Sequence, residues 1–279
     1  MTAVPAAPAK VAFRDRIDAM PTWLGGLVGV LAILVLWWVA SLVLFQASHA
    51  IPGPPQVIGY FLSASEWSTT LSNLSGTLSA AAQGFLWGNA AALLLALIVL
   101  LVPRVEQVAT QIAIVTYCLP LVAIGPILVI VAGRLHAPQA PSIALAGLSV
   151  FFTTVVGALL GLGAAPRTSM DLIKAYGGSR MTALRKVQLI SALPNLFAAF
   201  KIAAPAAFLG AVLAEYLGSG GDASLGRALI AAQSTADGPR LWYLALVSGA
   251  VAGLAYALIG LVARLIAPWS SGTPEGGRP

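Results

Sequence analysis

The residues able to do chemistry in this chain are few, and their spacing argues against most kinds of it. The 279 residues include one cysteine, Cys118, so an intrachain disulfide is impossible and no zinc or redox spacing exists. Its place inside an apolar run assigns it to packing. The two histidines, His49 and His136, stand far apart with no His-x-x-x-His or acidic cluster beside them, which argues against catalysis or metal binding. No G-x-x-x-x-G-K-[ST] run occurs, so the chain does not hold ATP in the phosphate-loop manner. Lys201 and Glu215 are ionisable residues within one apolar run, about 21 Å apart along a straight helix and too distant to pair. Lys201 is expected to snorkel to the nearer end of that run. Glu215 is a candidate for a pathway through the molecule, with a structural role as the alternative.

One polar stretch, residues 164–195, has a pattern that suggests a docking element. Thr168 stands three residues before Asp171, the spacing of a capping box, and predicts a helix from about Ser169. Leu172, Ile173, Ala175 and Tyr176 give that helix its apolar contacts, and Gly177-Gly178 suits a left-handed C-terminal cap. Ser179 then caps a second helix through Arg180, Leu184 and Val187, predicted to end before Pro194. Helices this short are marginal in water and need a covering surface, either the chain's own bundle or a partner.

The elements around this stretch are set by composition. Hydrophobic residues make up 59% of the chain and charged residues 9%, far below the level of a soluble domain. Six apolar runs, at Trp23–Phe45, Ala82–Val102, Ala109–Gly133, Ser142–Gly163, Leu196–Gly218 and Trp242–Ala267, are each long enough to cross a bilayer. The expected fold is an all-α, polytopic bundle of six membrane helices. It spans 23–267, contains the 164–195 loop, and is flanked by tails at 1–22 and 268–279.

The net charge of +6 does not point to a nucleic-acid partner, because the basic residues stand at the ends of runs, not interleaved with aromatics on one patch. With six crossings, twelve of the 15 Lys and Arg residues share a side: Lys10, Arg14, Arg16, Arg104, six within 167–201, Arg264 and Arg278. Arg134, Arg227 and Arg240 take the other. The positive-inside rule then puts both termini and the 164–195 loop in the cytoplasm. Trp23, Trp242 and Trp269 fit an interfacial belt.

Pro120, Pro126 and Pro205 interrupt apolar runs, and each removes a helical hydrogen bond. Such breaks are tolerated next to a cavity or inside protein, which makes these residues pathway candidates alongside plain helix kinks. Gly84 and Gly88, and Gly249 and Gly253, have the spacing that lets membrane helices approach closely.

At this point the residues resemble a family. Asp171-Leu-Ile-Lys-Ala-Tyr-Gly177-Gly178-Ser179, with Val187-Gln-Leu189 following, is similar to the cytoplasmic signature of permease subunits of bacterial ATP-binding-cassette importers. That signature reads Glu-Ala-Ala, three residues, Gly, nine residues, Ile-x-Leu-Pro. Asp171 replaces the glutamate, Leu172 and Ile173 the two alanines, and Ile190 the proline. The continuation through Pro194, Lys201 and 210–218, with Leu225-Gly226 beyond and Ile51-Pro-Gly-Pro54 after the first run, also resembles the family. It resembles most closely the group handling thiamine-precursor pyrimidines, riboflavin, sulfonates, taurine and nitrate.

The resemblance implies a binding-protein-dependent importer of type I in the bacterial cytoplasmic membrane, with this chain as its permease. A separate cytoplasmic ATPase would carry ATP and Mg, no cofactor would sit on this chain, and a solute-binding protein would deliver the solute outside. Two copies of the chain would pair. Residues 171–173, 175–179, Val187 and Leu189 would contact the ATPase. An ion-coupled secondary carrier would be expected to show paired repeat halves and carboxylates at the membrane centre. The halves differ here, and Glu215 is the one candidate. The solute itself is left open, with a pyrimidine precursor or a riboflavin-like vitamin ahead of a sulfonate, taurine or nitrate.

Overall fold

A computed structural model describes residues 22–43, 51–221 and 223–269. The expected tails apart from Thr22, Pro268 and Trp269, the 44–50 link with His49, the Trp23 side chain and Asp222 of the 219–224 loop lie outside the described residues. Helices α1 (Thr22–Val43), α2 (Pro54–Leu62), α3 (Ala64–Leu101), α4 (Glu106–Cys118), α5 (Leu121–Arg134) and α6 (Ala140–Gly163) come first. They are followed by α7 (Arg167–Ala175), α8 (Arg180–Ala183), α9 (Leu189–Tyr216), α10 (Leu225–Ser234) and α11 (Gly238–Ile266). A 3-10 turn at Pro103–Val105 precedes α4, and a π-turn at Leu184–Gln188 joins α8 to α9. No strand occurs among the described residues.

Five of these helices are long and apolar enough to cross a membrane alone, and α4 with α5 form a sixth, broken crossing bent by 87°. The contacts fix the path. Gly84 and Gly88 of α3 lie against Ala146, Gly147 and Val150 of α6, and Thr154 of α6 bonds Asn89 of α3. Residue numbers rise together along both helices, so α3 and α6 run parallel. The 102–139 segment must therefore return across the bundle, and the bent pair is a crossing.

The other crossings follow the same alternation. Gly161 of α6 touches Ala192 near the start of α9, whereas Ser142 at the start of α6 bonds Ser219 just past the end of α9. The Trp37 indole of α1 donates to the Pro52 carbonyl and stacks on Trp242 of α11. Residues 51–63, 135–139 and 217–237 thus gather at one end of the bundle. The start of α1, the 102–105 turn, the 164–188 connector and the end of α11 gather at the other. Arg134, Arg227 and Arg240 occupy the first end, matching the expected charge division.

Two expected boundaries are corrected. The second apolar run begins at Ala82, but its helix begins at Ala64, because the polar stretch before it packs rather than loops. Thr70 and Thr77 are buried there, and Thr70 accepts from the Tyr243 hydroxyl. The second connector helix does not stop before Pro194 but continues through it into α9, which also contains Pro205. Neighbouring helices make such internal prolines tolerable in a membrane protein.

The core centres on α6. Apolar burial drives little association between helices in lipid, so close packing and hydrogen bonds must hold them together. Along α6, Gly147 meets Gly84 and Gly88, Gly157 meets Asn195 and Ala199, and Gly161 meets Ala192. A Cβ on Gly88 would lie 2.5 Å from the Gly147 carbonyl oxygen, so substitution there forces α3 and α6 apart. Gly249 and Gly253 differ: both are exposed with nothing within 4 Å of an added Cβ, so their spacing serves no contact among the described residues.

A polar knot closes the end of α9. Glu215 is 1% exposed; its Oε2 accepts from the Thr77 hydroxyl at 2.8 Å and from the Gly226 N–H at 3.1 Å. Thr77 Oγ1 in turn accepts from the Leu225 N–H at 3.0 Å. Leu225 and Gly226 open α10, whose first turn also uses Ser224 as a side-chain cap. A carboxyl group thus meets the positive end of a helix whose first amide groups otherwise lack partners. Gly226 makes the approach possible, since a Cβ there would lie 2.4 Å from Glu215 Cβ. The Arg240–Glu66 ion pair at 3.2 Å and the Tyr60 hydroxyl on Asp237 tie α11 to α3 and α2 at the same end.

Thr77→Val keeps the shape of the side chain but strands the Leu225 N–H and removes a donor from Glu215. A loss of about 1–3 kcal/mol is expected for each buried group left unpaired, read as a lower thermal unfolding midpoint of the detergent-solubilised protein. An unchanged midpoint would refute the knot. The path of the chain predicts that single cysteines at Ser179 and Ser234, both exposed, in a Cys118→Ser background, are labelled by an impermeant thiol reagent from opposite faces of the membrane. Labelling of both from one face would overturn the parallel α3–α6 arrangement.

Candidate functional site

The connector between α6 and α9 projects from one end of the bundle. Helix α7 has no buried residue, and its one substantial contact is with α8. Leu172 is 58% and Tyr176 85% exposed, so its apolar side chains are uncovered in the single chain. Five cations, Arg167, Lys174, Arg180, Arg185 and Lys186, face solvent around them, with Asp171 the one acidic side chain in 164–195.

The turn after α7 has the predicted cap. Gly177 has φ +70°, its N–H donates to the Lys174 carbonyl, and the Gly178 N–H reaches back to the Ile173 carbonyl at 2.8 Å. These paired bonds close the last turn as a Schellman motif. The two glycines serve different needs. At Gly177 a Cβ meets open space but requires an unfavourable backbone, whereas at Gly178 it would lie 2.6 Å from Ile173 Cγ2. Ser179 caps α8 as expected, its Oγ accepting from the Thr182 N–H.

The start of α7 differs from the expectation. Pro166 occupies the cap position, α7 begins at Arg167, and no side chain caps it. Thr168 and Asp171 therefore lie inside the helix. Proline costs no hydrogen bond there, because amides at a helix start lack helical partners in any case. Asp171 instead lies 3.7 Å from Lys174, with both side chains about three-quarters exposed, a pairing of little consequence for stability.

One anchoring contact has no trace in the sequence pattern. The Arg180 guanidinium donates to the Leu100 carbonyl at 2.8 Å. Leu100 lies in the last turn of α3, where carbonyls lack helical partners and the helix end is negative, so a cation suits the position. The connector is thereby fastened to α3 as well as to the helices it joins. Met181, Leu184 and Gln188 line a cavity of about 310 Å³ around this contact. Val187 is half-buried in the π-turn, and Leu189 is 48% exposed at the start of α9.

The pathway candidates are not brought together. Pro120 caps α5 and Pro126 lies inside it, both exposed, while Pro205 is half-buried in α9. Glu215 sits in the knot described above. Lys201 lies along α11, with its Cε 3.4 Å from where a Cβ on Gly260 would stand. The expected single third span is instead the bent α4–α5 pair, because Pro120 has no N–H to continue the ladder and biases Leu119 to an extended backbone. Sequence reasoning passed over Tyr117, which stacks on Phe152 of α6 with ring centroids 4.6 Å apart at the bend.

Comparison with known proteins fits this arrangement. Residues 88–271 match the family described as binding-protein-dependent transport system inner membrane component. The chain is 28% identical over 248 residues, 88% of its length and 90% of the relative's, to the riboflavin transport system permease protein of Chloroflexus aurantiacus. It is 24% identical over 239 residues, 86% of its length and 93% of the relative's, to the formylaminopyrimidine transport permease protein of Halalkalibacterium halodurans. The family match extends over well more than half of the chain and takes in the exposed connector and the broken crossing, so the chain belongs to the binding-protein-dependent inner membrane components, the permease subunits of type I ATP-binding-cassette importers.

Proposed function

We propose that this permease passes a small heteroaromatic solute, a thiamine-precursor pyrimidine or a riboflavin-like vitamin, into the cytoplasm, with its 164–188 connector seated on a separate ATPase. The observation that carries the reading is α7: a nine-residue helix with Leu172 and Tyr176 uncovered, closed by a rigid cap and fastened to the bundle by Arg180. A helix of two turns gains most of its stability from packing. A partner at this end supplies that packing, and ATP and Mg belong to that partner. The excess of Lys and Arg at the connector end orients it, and both termini, toward the cytoplasm. The solute-binding protein then docks at the opposite end, around 51–63 and 217–237. The preference for a pyrimidine or flavin rests on the resemblance of 201–218 and accords with the solutes named for the two relatives. A sulfonate, taurine or nitrate is the second choice.

Movement of the ATPase would reach the spans by two routes. One runs along the unbroken helical path from α8 through the π-turn into α9, and the other through Arg180 to the end of α3. Gly177→Val places a β-branched residue at φ +70° at a cost of about 1–2 kcal/mol, confined to the cap because the surrounding space is open. Membrane level should stay normal, while solute uptake and co-purification of the ATPase both fall. Asp171→Lys removes no cap and leaves the fold alone, so any fall in uptake reads contact with the partner directly. Wild-type uptake and ATPase recovery in both variants would reject the docking role.

Two connectors are needed to engage a motor with two nucleotide sites, and one chain has one. Two copies of this chain with two ATPase subunits are therefore expected in the intact complex. Native mass spectrometry of the complex should return that ratio, and a different second permease would refute the pairing.

A further inference from the structure

We infer that the corner between α4 and α5 opens on the solute's passage and holds a planar, nitrogen-bearing ring through its unpaired backbone groups and the Tyr117 face. This rests on the permease reading and adds to it a place of contact. The two helices meet at 87° across Leu119 and Pro120. Among the described residues no hydrogen bond reaches the carbonyls of Thr116, Tyr117, Cys118 or Leu119, and none leaves the N–H groups of Leu119, Leu121 or Val122. The corner lies at mid-height of the bundle, since Tyr117 stacks on Phe152 near the middle of α6. It is also open: Tyr117 is 68% and Leu119 42% exposed, and Cys118 and Pro120 are exposed beside them.

Unpaired backbone at that depth is incompatible with lipid, which has no group to satisfy it, but is tolerated where it is covered by protein or lines a water-filled space, and the exposure of the corner favours the second. The corner's chemistry then selects its ligand. The end of α4 presents carbonyls and partial negative charge, and the start of α5 presents N–H groups and partial positive charge. A ligand edge with donors and acceptors side by side, as in an amide-bearing or aminopyrimidine ring, answers both. A sulfonate would bring its charge against the carbonyls. Tyr117, held by Phe152, offers a fixed aromatic face for stacking. A cavity of about 410 Å³, walled by Ile112, Thr116, Leu128 and Phe151, adjoins the corner at Thr116 and is large enough for a fused-ring solute.

Cys118 is the chain's sole cysteine and stands at the corner, so the native protein carries its own probe. In membrane vesicles containing the permease with its ATPase and binding protein, a membrane-impermeant methanethiosulfonate should modify Cys118, read as a mass shift on this chain. Riboflavin or a formylaminopyrimidine should slow the reaction, and an aliphatic sulfonate should not. Tyr117→Leu should abolish the protection and raise the half-saturating solute concentration for uptake about tenfold, as expected for a lost stacking face, while Tyr117→Phe keeps both. A silent Cys118 alongside a reactive Ser234→Cys would overturn the inference by showing a corner sealed by lipid or protein. Protection by the sulfonate alone, or by none of the three solutes, would overturn the assigned ligand class. Uptake measured in the same vesicles separates the two levels: uptake with a silent Cys118 counts against the corner, and a reactive Cys118 without ATP-dependent uptake counts against the permease reading.

Discussion

Hydrocarbon offers no hydrogen-bond partner, and nearly every feature of this chain follows from where its backbone and polar side chains find partners instead. In the long crossings the backbone bonds within its own helix except where Pro194 and Pro205 interrupt α9. Polar side chains bond locally or across a contact, as Asn89 does to Thr154 and the Phe85 carbonyl. Where helices end, the orphan groups are collected by residues from distant parts of the chain. The exceptions to this economy of partners are the places where function is expected: the exposed connector and the corner of the broken crossing.

Helix α6 shows how the constraint shapes packing. With little hydrophobic drive between helices in lipid, small residues bring backbones together so that dispersion contacts accumulate. Gly147, Gly157 and Gly161 face α3 on one side and α9 on the other, and α9 is the helix that continues directly from the connector. A displacement entering at the connector therefore meets the closely packed interface between α9 and α6. Close-packed elements of this kind shift as units, since interiors deform little.

The Glu215 knot and the Arg180 anchor are two answers to the same problem at opposite ends of the bundle. Glu215 satisfies donors at the start of α10, and Arg180 satisfies an acceptor at the end of α3. Each places a group whose polarity complements the helix end it meets. They differ in surroundings: the Glu215 contacts are sealed from water, whereas Arg180 is exposed. The Glu215 end is thus built as a fixed closure, whereas the fastening at the connector end lies open to solvent.

The crossings, the left-handed turn at Gly177 and the two-ended distribution of charge were legible in the residues, because each depends on local composition or on one residue's backbone freedom. The family signature was legible for a similar reason, as a pattern of short-range spacing. Local pattern also misled. Thr168 and Asp171 have capping-box spacing, yet Pro166 caps the helix ahead of them, and the second apolar run begins at Ala82 although its helix reaches back to Ala64 with Thr70 and Thr77 buried in it. The partners of Glu215, the Arg180 contact with a carbonyl eighty positions away and the angle at Pro120 were decided by tertiary structure alone. Backbone carbonyls and amides carry no residue-specific signal. Which of them stands opposite a given side chain is known only when helices far apart in the sequence have packed.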